Sequence, residues 1–145
     1  MARFEQSVTI DRPIEEVFAF VADPDKEMKW RSSLEEITMT SEGPIGVGTT
    51  YRKVERFLGR KVERTSEITE FELNKKCSFK STSGPIAMDS TITFEARADG
   101  TRVSMVANAE LGGFFRVAEP MVVRMARRQM ETEMANLKDL LEGQG

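Results

Sequence analysis

Apolar and polar residues alternate in several short runs of the chain, which is the periodicity of β-strands. The first run places Phe4 and Ile10 on one face and Glu5 on the other. Seven strand-length runs occur, two of which alternate poorly, at residues 4–10, 35–40, 49–57, 61–71, 76–82, 88–96 and 101–110. Turn-forming Gly, Pro, Asn and Asp residues separate most of them. Sequential strands joined by tight turns predict an antiparallel sheet of about seven strands.

Three segments of the chain are predicted to be helices. After the first strand, apolar residues recur at helical spacing from Ile14 to Val21, and Pro13 suits the first turn because its missing N–H costs nothing there. Residues 26–31 predict a second short helix that carries Trp30. Residues 116–142 predict one long helix, which at about 1.5 Å per residue is long enough to cross the whole sheet.

The long helix carries one apolar stripe that a charge interrupts. The stripe consists of Val123, Arg127, Met130, Met134, Leu137 and Leu141. Arg127 has two interpretations: a clamp for an anion or a carbonyl inside a cavity, or a stem on the core with its head in water. Met121 and Met125 lie on nearly the opposite side, where they border a cavity mouth, contact a partner subunit or are exposed.

The order of elements is one strand, two short helices, six strands and a long helix, so the fold class is α+β with the helices on one face of the sheet. The covered face mixes large side chains such as Phe79 and Phe94 with small ones such as Ala107 and Ala109. Small residues leave space unless the helices fill it. The sequence therefore leaves two alternatives for the interior: a packed core, or an apolar cavity of roughly a few hundred Å³.

Two of the runs, 49–57 and 61–71, do not sort into an apolar and a polar face. In the first run, Tyr51 and Phe57 are in phase with charged residues, and in the second, Val62 is in phase with Arg64. One interpretation is a polar end of the cavity, with Arg64 and Arg52 or Arg56 near Glu70 or near a ligand carboxylate. The other is a β-bulge that shifts the register.

Composition narrows the function classes. The 145 residues suit one domain over 1–145, and the net charge of −3 argues against a nucleic-acid-binding surface. There is no run of about 18 apolar residues to insert stably in a membrane, and no apolar signal region precedes the first strand, so we expect a cytoplasmic protein. The chain has one cysteine and no histidine, which excludes histidine-based catalysis. No metal site, nucleotide motif or cofactor is predicted.

Several short motifs together resemble a known family. They are residues 10–18 (IDRPIEEVF), 23–24 (DP), Trp30, residues 46–49 (GVGT), 68–71 (ITEF), 100–103 (GTRV) and 137–142 (LKDLLE). In this order, and over essentially the whole chain, they resemble the START/polyketide-cyclase-like (SRPBCC) superfamily, in its small bacterial polyketide cyclase/dehydrase and lipid-transport branch. The resemblance implies a helix-grip fold, in which a seven-stranded antiparallel sheet wraps around the C-terminal helix and leaves a cavity.

The first functional hypothesis is binding or transport of a small hydrophobic or amphipathic molecule, lipid-like or polyketide-like, in that cavity. The ligand-binding candidates are Phe18, Trp30, Tyr51, Phe79, Met88, Phe94, Met105, Phe115, Met121 and Arg127. Trp30 also suits a packed position between the short helix and the sheet. The resemblance supplies no catalytic motif that this chain matches. The sequence leaves the oligomeric state open between a monomer and a homodimer.

The alternative hypothesis is a polyketide cyclase/dehydrase-type enzyme without histidine or metal. Arg64 or Arg127 would polarise a carbonyl of a bound polyketone, and Tyr51 would donate a proton. A third hypothesis is a partner protein of the same fold that acts through its surface.

Overall fold

The computed structural model describes residues 2–84 and 86–143, and of Phe114 the backbone only. Its strands are β1 (Ala2–Ile10), β2 (Leu34–Met39), β3 (Thr50–Phe57), β4 (Arg60–Glu72), β5 (Lys76–Ser83), β6 (Ile86–Arg97) and β7 (Gly100–Leu111). Its helices are α1 (Ile14–Ala22), α2 (Pro24–Trp30), α3 (Phe114–Val117) and α4 (Glu119–Gly143). None of the helices in these two ranges has both the length and the apolar character needed to cross a lipid bilayer.

The strands form one antiparallel sheet in the order β1-β7-β6-β5-β4-β3-β2. This confirms the predicted α+β helix-grip fold. Each strand pairs with its neighbour in sequence, except that β1 pairs with β7, so the first and last strands of the chain meet. The core between the sheet and the helices includes Val17 and Phe18 of α1, Phe94 of β6, and Leu137 and Leu141 of α4, all buried.

The boundary between α1 and α2 lies at one residue, Asp23. Its backbone N–H donates to the Phe20 carbonyl at the end of α1, and its side-chain Oδ1 accepts from the Asp25 backbone N–H at 2.9 Å. Because an Asp N-cap followed by proline is a strong start signal, α2 begins at Pro24 and ends at Trp30. The prediction of residues 26–31 was therefore two residues late at its start.

The long C-terminal helix was predicted as one segment and is two, separated at Ala118. Pro120 causes the break, because it has no N–H to donate and its ring clashes with the carbonyl four residues before it. In the first turn of α4 neither property matters. The Val122 N–H then donates to the Ala118 carbonyl at 2.9 Å, which begins the regular helix.

The buried face of α4 is wider than the predicted stripe. Met134, Leu137 and Leu141 are buried as predicted, and Val123 and Met130 are half-buried. Val122 and the carboxylate Glu133 are also buried, and the stripe did not include them. Arg127, which the stripe did include, is exposed. A curved sheet contacts a helix over more than one row of residues, so the predicted apolar stripe was too narrow.

The facing of β3 and β4, left open by the sequence, places charge inside. Lys53 pairs with Arg64 across a regular β3–β4 register, and both side chains are buried. Register shifts do occur, in β4 against β5 and in β2, but they do not move these charges outward. Arg64 therefore points inward, as the polar-end interpretation predicts. Arg52, Arg56 and Glu70 do not. The carboxylate partner of Arg52 with the shortest contact is Glu63, that of Arg56 is Glu35, and Glu70 pairs with Lys76, all on partly or fully exposed side chains.

Candidate functional site

A cavity of about 160 Å³ lies between the sheet and α4. Its apolar wall includes Phe79 of β5, Met88 and Ile92 of β6, Met105 and Ala107 of β7, and Met130 of α4. An apolar cavity of about 150 Å³ is large enough to admit benzene. The cavity is therefore smaller than the few hundred Å³ that the sequence suggested, and suits a single ring or a short chain.

Five of the predicted site residues line the cavity: Trp30, Arg64, Phe79, Met88 and Met105. The structure brings these together from α2 and from four strands.

The other predicted residues lie elsewhere. Phe18 and Phe94 pack edge to face in the core, with ring centroids 5.0 Å apart. Phe115 is buried against β3, where its ring is 6.0 Å from that of Phe57. Tyr51 is buried but is not among the described residues that line the cavity.

Met121 and Arg127 are exposed on α4, and neither is among the described residues that line the cavity. The structure thus contradicts Arg127 as a clamp inside the cavity. The helix turn that carries Arg127 presents Ala126 and Met130 to the cavity instead.

One end of the cavity carries six charged side chains, which we call the ionic cluster. The cluster consists of Glu27, Arg31, Lys53, Glu55, Arg64 and Glu133. It contains three cations and three carboxylates, and its members come from α2, β3, β4 and α4 and from the residue that follows α2. Buried charges are tolerated when they are paired, so the geometry of the cluster decides the free-energy cost of removing its charges from water.

Arg31 is the centre of the ionic cluster. Its Nη1 donates to Glu27 at 3.1 Å, its Nη2 to Glu55 at 2.9 Å, and its Nε to Glu133 at 3.4 Å. A planar guanidinium can present donors in several directions at once, which suits a group that three carboxylates surround. Arg31 therefore joins the end of α2 to the sheet and to α4.

Two further cations complete the pairing. Lys53 Nζ donates to Glu27 Oε2 at 2.9 Å, and Arg64 Nη2 donates to Glu55 Oε1 at 2.9 Å. Glu133 also accepts from the backbone N–H of Ser33 at 3.4 Å and from its Oγ at 3.1 Å. Each carboxylate thus accepts at least two donors. Lys53 Nζ lies 5.4 Å from the centroid of the Phe79 ring, where the ionic cluster meets the apolar wall.

The pKa values follow from this pairing. Burial alone would raise the pKa of Glu55, but the guanidinium groups of Arg31 and Arg64 outweigh it and hold that pKa at about 2. The pKa of Glu27 is likewise lowered, because Lys53 and Arg31 outweigh burial. Lys53 has a lowered pKa, since burial and the two neighbouring guanidinium groups outweigh its attraction to Glu27. Both glutamates are therefore ionised at neutral pH.

Three polar atoms on residues that line the cavity have no partner among the described residues. They are Trp30 Nε1, Arg64 Nε and Ser66 Oγ, and all three residues line the cavity and are buried. Trp30 Nε1 and Arg64 Nε can only donate hydrogen bonds. An acceptor bound in the cavity would satisfy them.

Sequence reasoning missed Glu27, Arg31 and Glu133 as members of the site. Glu27 and Arg31 are four residues apart at the end of a predicted helix, which is also the spacing of an ordinary surface ion pair. Glu133 lay outside the predicted apolar stripe. The one available signal was the charge in phase with aromatic residues in β3 and with Val62 in β4. In the described ranges no group of three or more His, Cys, Asp or Glu side chains is placed to hold a metal ion.

Comparison with solved structures shows the same fold in several bacterial proteins. A protein from Thermus thermophilus is 20% identical with a TM-score of 0.86, and 99% of each chain is covered. A START superfamily protein from Mycobacterium smegmatis is 14% identical with a TM-score of 0.84, again with 99% of each chain covered. An aromatase/cyclase from a Streptomyces species is 15% identical with a TM-score of 0.82, covering 97% of this chain and 93% of that one.

At these identities the structural likeness shows the fold alone. A comparison with curated proteins found no match. The family model described as polyketide cyclase / dehydrase and lipid transport matches residues 1–142, which is nearly the whole chain. This match confirms the resemblance read from the short motifs, and the chain belongs to the polyketide cyclase/dehydrase and lipid transport family.

Proposed function

We propose that the protein binds a small hydrophobic or amphipathic molecule in the cavity between the sheet and α4. The observation that carries the proposal is the cavity itself, about 160 Å³ with a mainly apolar wall and a few polar groups at one end. That combination is typical of small-molecule sites. A wholly packed interior, the other possibility that the sequence left open, would have no such space.

Small side chains on β6 and β7 account for the space. Ala107 pairs with Ser90 on β6 and with Phe4 on β1, and Ala109 pairs with Met88. Ala107 and Ala109 are buried and both line the cavity. Because Ala107 lines the cavity, a larger side chain there would occupy part of the space.

The variant Ala107→Leu tests the proposal. We expect it to fold and to keep its melting temperature within a few degrees, because filling a void lacks the usual cost of overpacking a dense core. Binding should fall at least tenfold. The control is Ala87→Leu, the same substitution at an exposed position of β6.

Binding can be followed through Trp30, the single tryptophan of the chain, which lines the cavity. A titration with bromobenzene, an uncharged single-ring compound whose bromine quenches indole fluorescence, should quench the Trp30 emission in the wild type and in Ala87→Leu, and leave it unchanged in Ala107→Leu. Unaltered binding by Ala107→Leu would contradict the cavity as the site. If the wild type bound neither bromobenzene nor any other single-ring apolar compound, the proposal itself would be contradicted.

Catalysis of a cyclase or dehydrase type is the second candidate for the same cavity. Arg64 favours it, since a guanidinium N–H without a partner can polarise a carbonyl of a bound polyketone. Tyr51 does not favour it: burial, with Glu27 and other negative groups, raises its pKa to about 12, and it does not line the described cavity. Incubation with a short poly-β-ketone ester, followed by mass spectrometry for loss of water, distinguishes the two. An unchanged compound that still binds supports the binding role.

A further inference from the structure

The unpartnered donors on the cavity wall specify the ligand more closely. Trp30 is 3% exposed, Arg64 is 8% exposed and Ser66 is 1% exposed. Buried polar atoms are nearly always hydrogen-bonded, so three unpartnered ones on residues that line one cavity are unusual. Two of the three can only donate. The group that completes this site therefore accepts hydrogen bonds.

The charge balance of the ionic cluster restricts that acceptor. Its three cations already pair with its three carboxylates, and Arg64 itself donates to Glu55. A ligand carboxylate would leave one negative charge without a partner in a buried site, which is costly. Loss of a proton from Lys53, whose pKa burial lowers, would make the balance more negative still. A neutral acceptor has neither cost.

We propose, on the basis of the binding function above, that the cavity takes a ligand with a neutral oxygen acceptor, such as a ketone, ester or amide carbonyl, and discriminates against the corresponding carboxylate. The carbonyl oxygen accepts from Trp30 Nε1 and Arg64 Nε, and the apolar remainder lies along Phe79 and Met105. The ionic cluster acts here as a positioning group for Arg64 and as a barrier to anions.

Three compounds of nearly equal shape test this: acetophenone, benzoate and ethylbenzene. They share one ring and differ in a ketone, a carboxylate or no polar group. Because the chain has one tryptophan, the indole N–H of Trp30 gives a single, unambiguous signal in a nitrogen-15 NMR spectrum. We expect acetophenone to bind at least tenfold more tightly than benzoate at pH 7.5. We also expect it to move the indole proton further downfield than ethylbenzene does, because a hydrogen bond forms.

The outcomes separate the two levels of the proposal. If ethylbenzene binds but benzoate binds as tightly as acetophenone, the cavity is a ligand site and the neutral-acceptor inference is wrong. The same conclusion follows if acetophenone and ethylbenzene move the indole proton equally. If none of the three compounds binds, the binding function fails and the inference fails with it.

A change of charge in the ionic cluster provides an independent test. Glu133→Gln is nearly isosteric and leaves the ionic cluster with one net positive charge, so the affinity for benzoate should rise at least fivefold relative to acetophenone. The control Glu131→Gln makes the same substitution on the exposed side of α4 and should change neither affinity. If Glu133→Gln does not fold, Glu27→Gln makes the same change of charge from α2. A folded variant with an unchanged preference would overturn the role of charge balance.

Discussion

Removal of Arg31 should destabilise the protein more than removal of any exposed arginine. Arg31 makes three ion pairs, with Glu27 at 3.1 Å, Glu55 at 2.9 Å and Glu133 at 3.4 Å, and its side chain is only 17% exposed. In Arg31→Met the apolar stem is kept and the charge is lost. Three buried carboxylates then share the two remaining cations, Lys53 and Arg64.

The expected loss follows from the charge that is left behind. Breaking a buried ion pair by removing one partner costs about 3–5 kcal/mol, because the other charge stays buried without compensation. The three contacts do not add, since the carboxylates can shift toward the remaining cations. At roughly 3–4 °C per kcal/mol for a chain of this size, the melting temperature should fall by roughly 10–20 °C.

Arg56→Met is the matched control. It makes the same substitution at a residue of β3 whose partner Glu35 is 3.0 Å away, but the two side chains are 52% and 40% exposed. Exposed ion pairs contribute about 0–1 kcal/mol. Urea denaturation followed by far-UV circular dichroism measures both variants without using Trp30, whose fluorescence a change at its neighbour would disturb.

A loss of less than about 1 kcal/mol for Arg31→Met would refute this reasoning. It would mean that water enters the polar end and screens the carboxylates, so that the ionic cluster behaves as a surface network. The low exposure of Arg64 and the unpartnered Nε of its guanidinium would then need another explanation. Equal losses for both variants would contradict the difference in burial on which the prediction rests.

Three further predictions concern single titratable groups. Since the pKa of Glu55 is held at about 2 against an ordinary 4.5, the protein should lose about 3 kcal/mol of stability as the pH falls through that window. In urea denaturation, Glu55→Gln should flatten this part of the curve of stability against pH. Cys77 is buried and its pKa is raised to about 11, so a thiol reagent at pH 8 should react only at the rate of unfolding, and fast labelling would contradict its burial. Tyr51 is the single tyrosine and its pKa is raised to about 12, so its ultraviolet absorbance should show no phenolate below about pH 11. Tyr51→Phe should leave the binding of acetophenone unchanged, whereas weakened binding would place the phenol in the site.

The fold could be predicted from the sequence because its signals are local. Alternation in β6 and β7 identified the inner face, on which Phe94 and Val103 are paired and buried. The turn-forming pair Asp99 and Gly100 marked the connection between these two strands. Proline and aspartate set the helix starts, although Pro120 was not recognised as the break between α3 and α4. Errors of this kind shift an element's boundary and leave the topology unchanged.

The ionic cluster could not be predicted, because its members are close only in the folded chain. Arg31 and Glu55 are 24 residues apart in sequence, and Arg31 and Glu133 are 102 apart. Periodicity shows which side of a strand a residue occupies, but it does not show which helix covers that side. The charges in β3 therefore resembled an irregularity of register until α2 and α4 supplied their partners.

The ionic cluster is difficult to explain by stability alone. Well-packed apolar residues can often replace a buried ion network without loss, so the fold does not require charge at this position. The buried residues that pack around Phe18 and Leu137 form an apolar cluster that contains no member of the ionic cluster. Among the described residues, the buried charges Lys53, Arg64 and Glu133 all belong to the ionic cluster on the cavity wall, to which the unpartnered donors of Trp30 and Arg64 also belong. A network that fixes Arg64 while cancelling its charge gives a binding site a rigid donor without attracting anions, and this role accounts for the placement better than stability does.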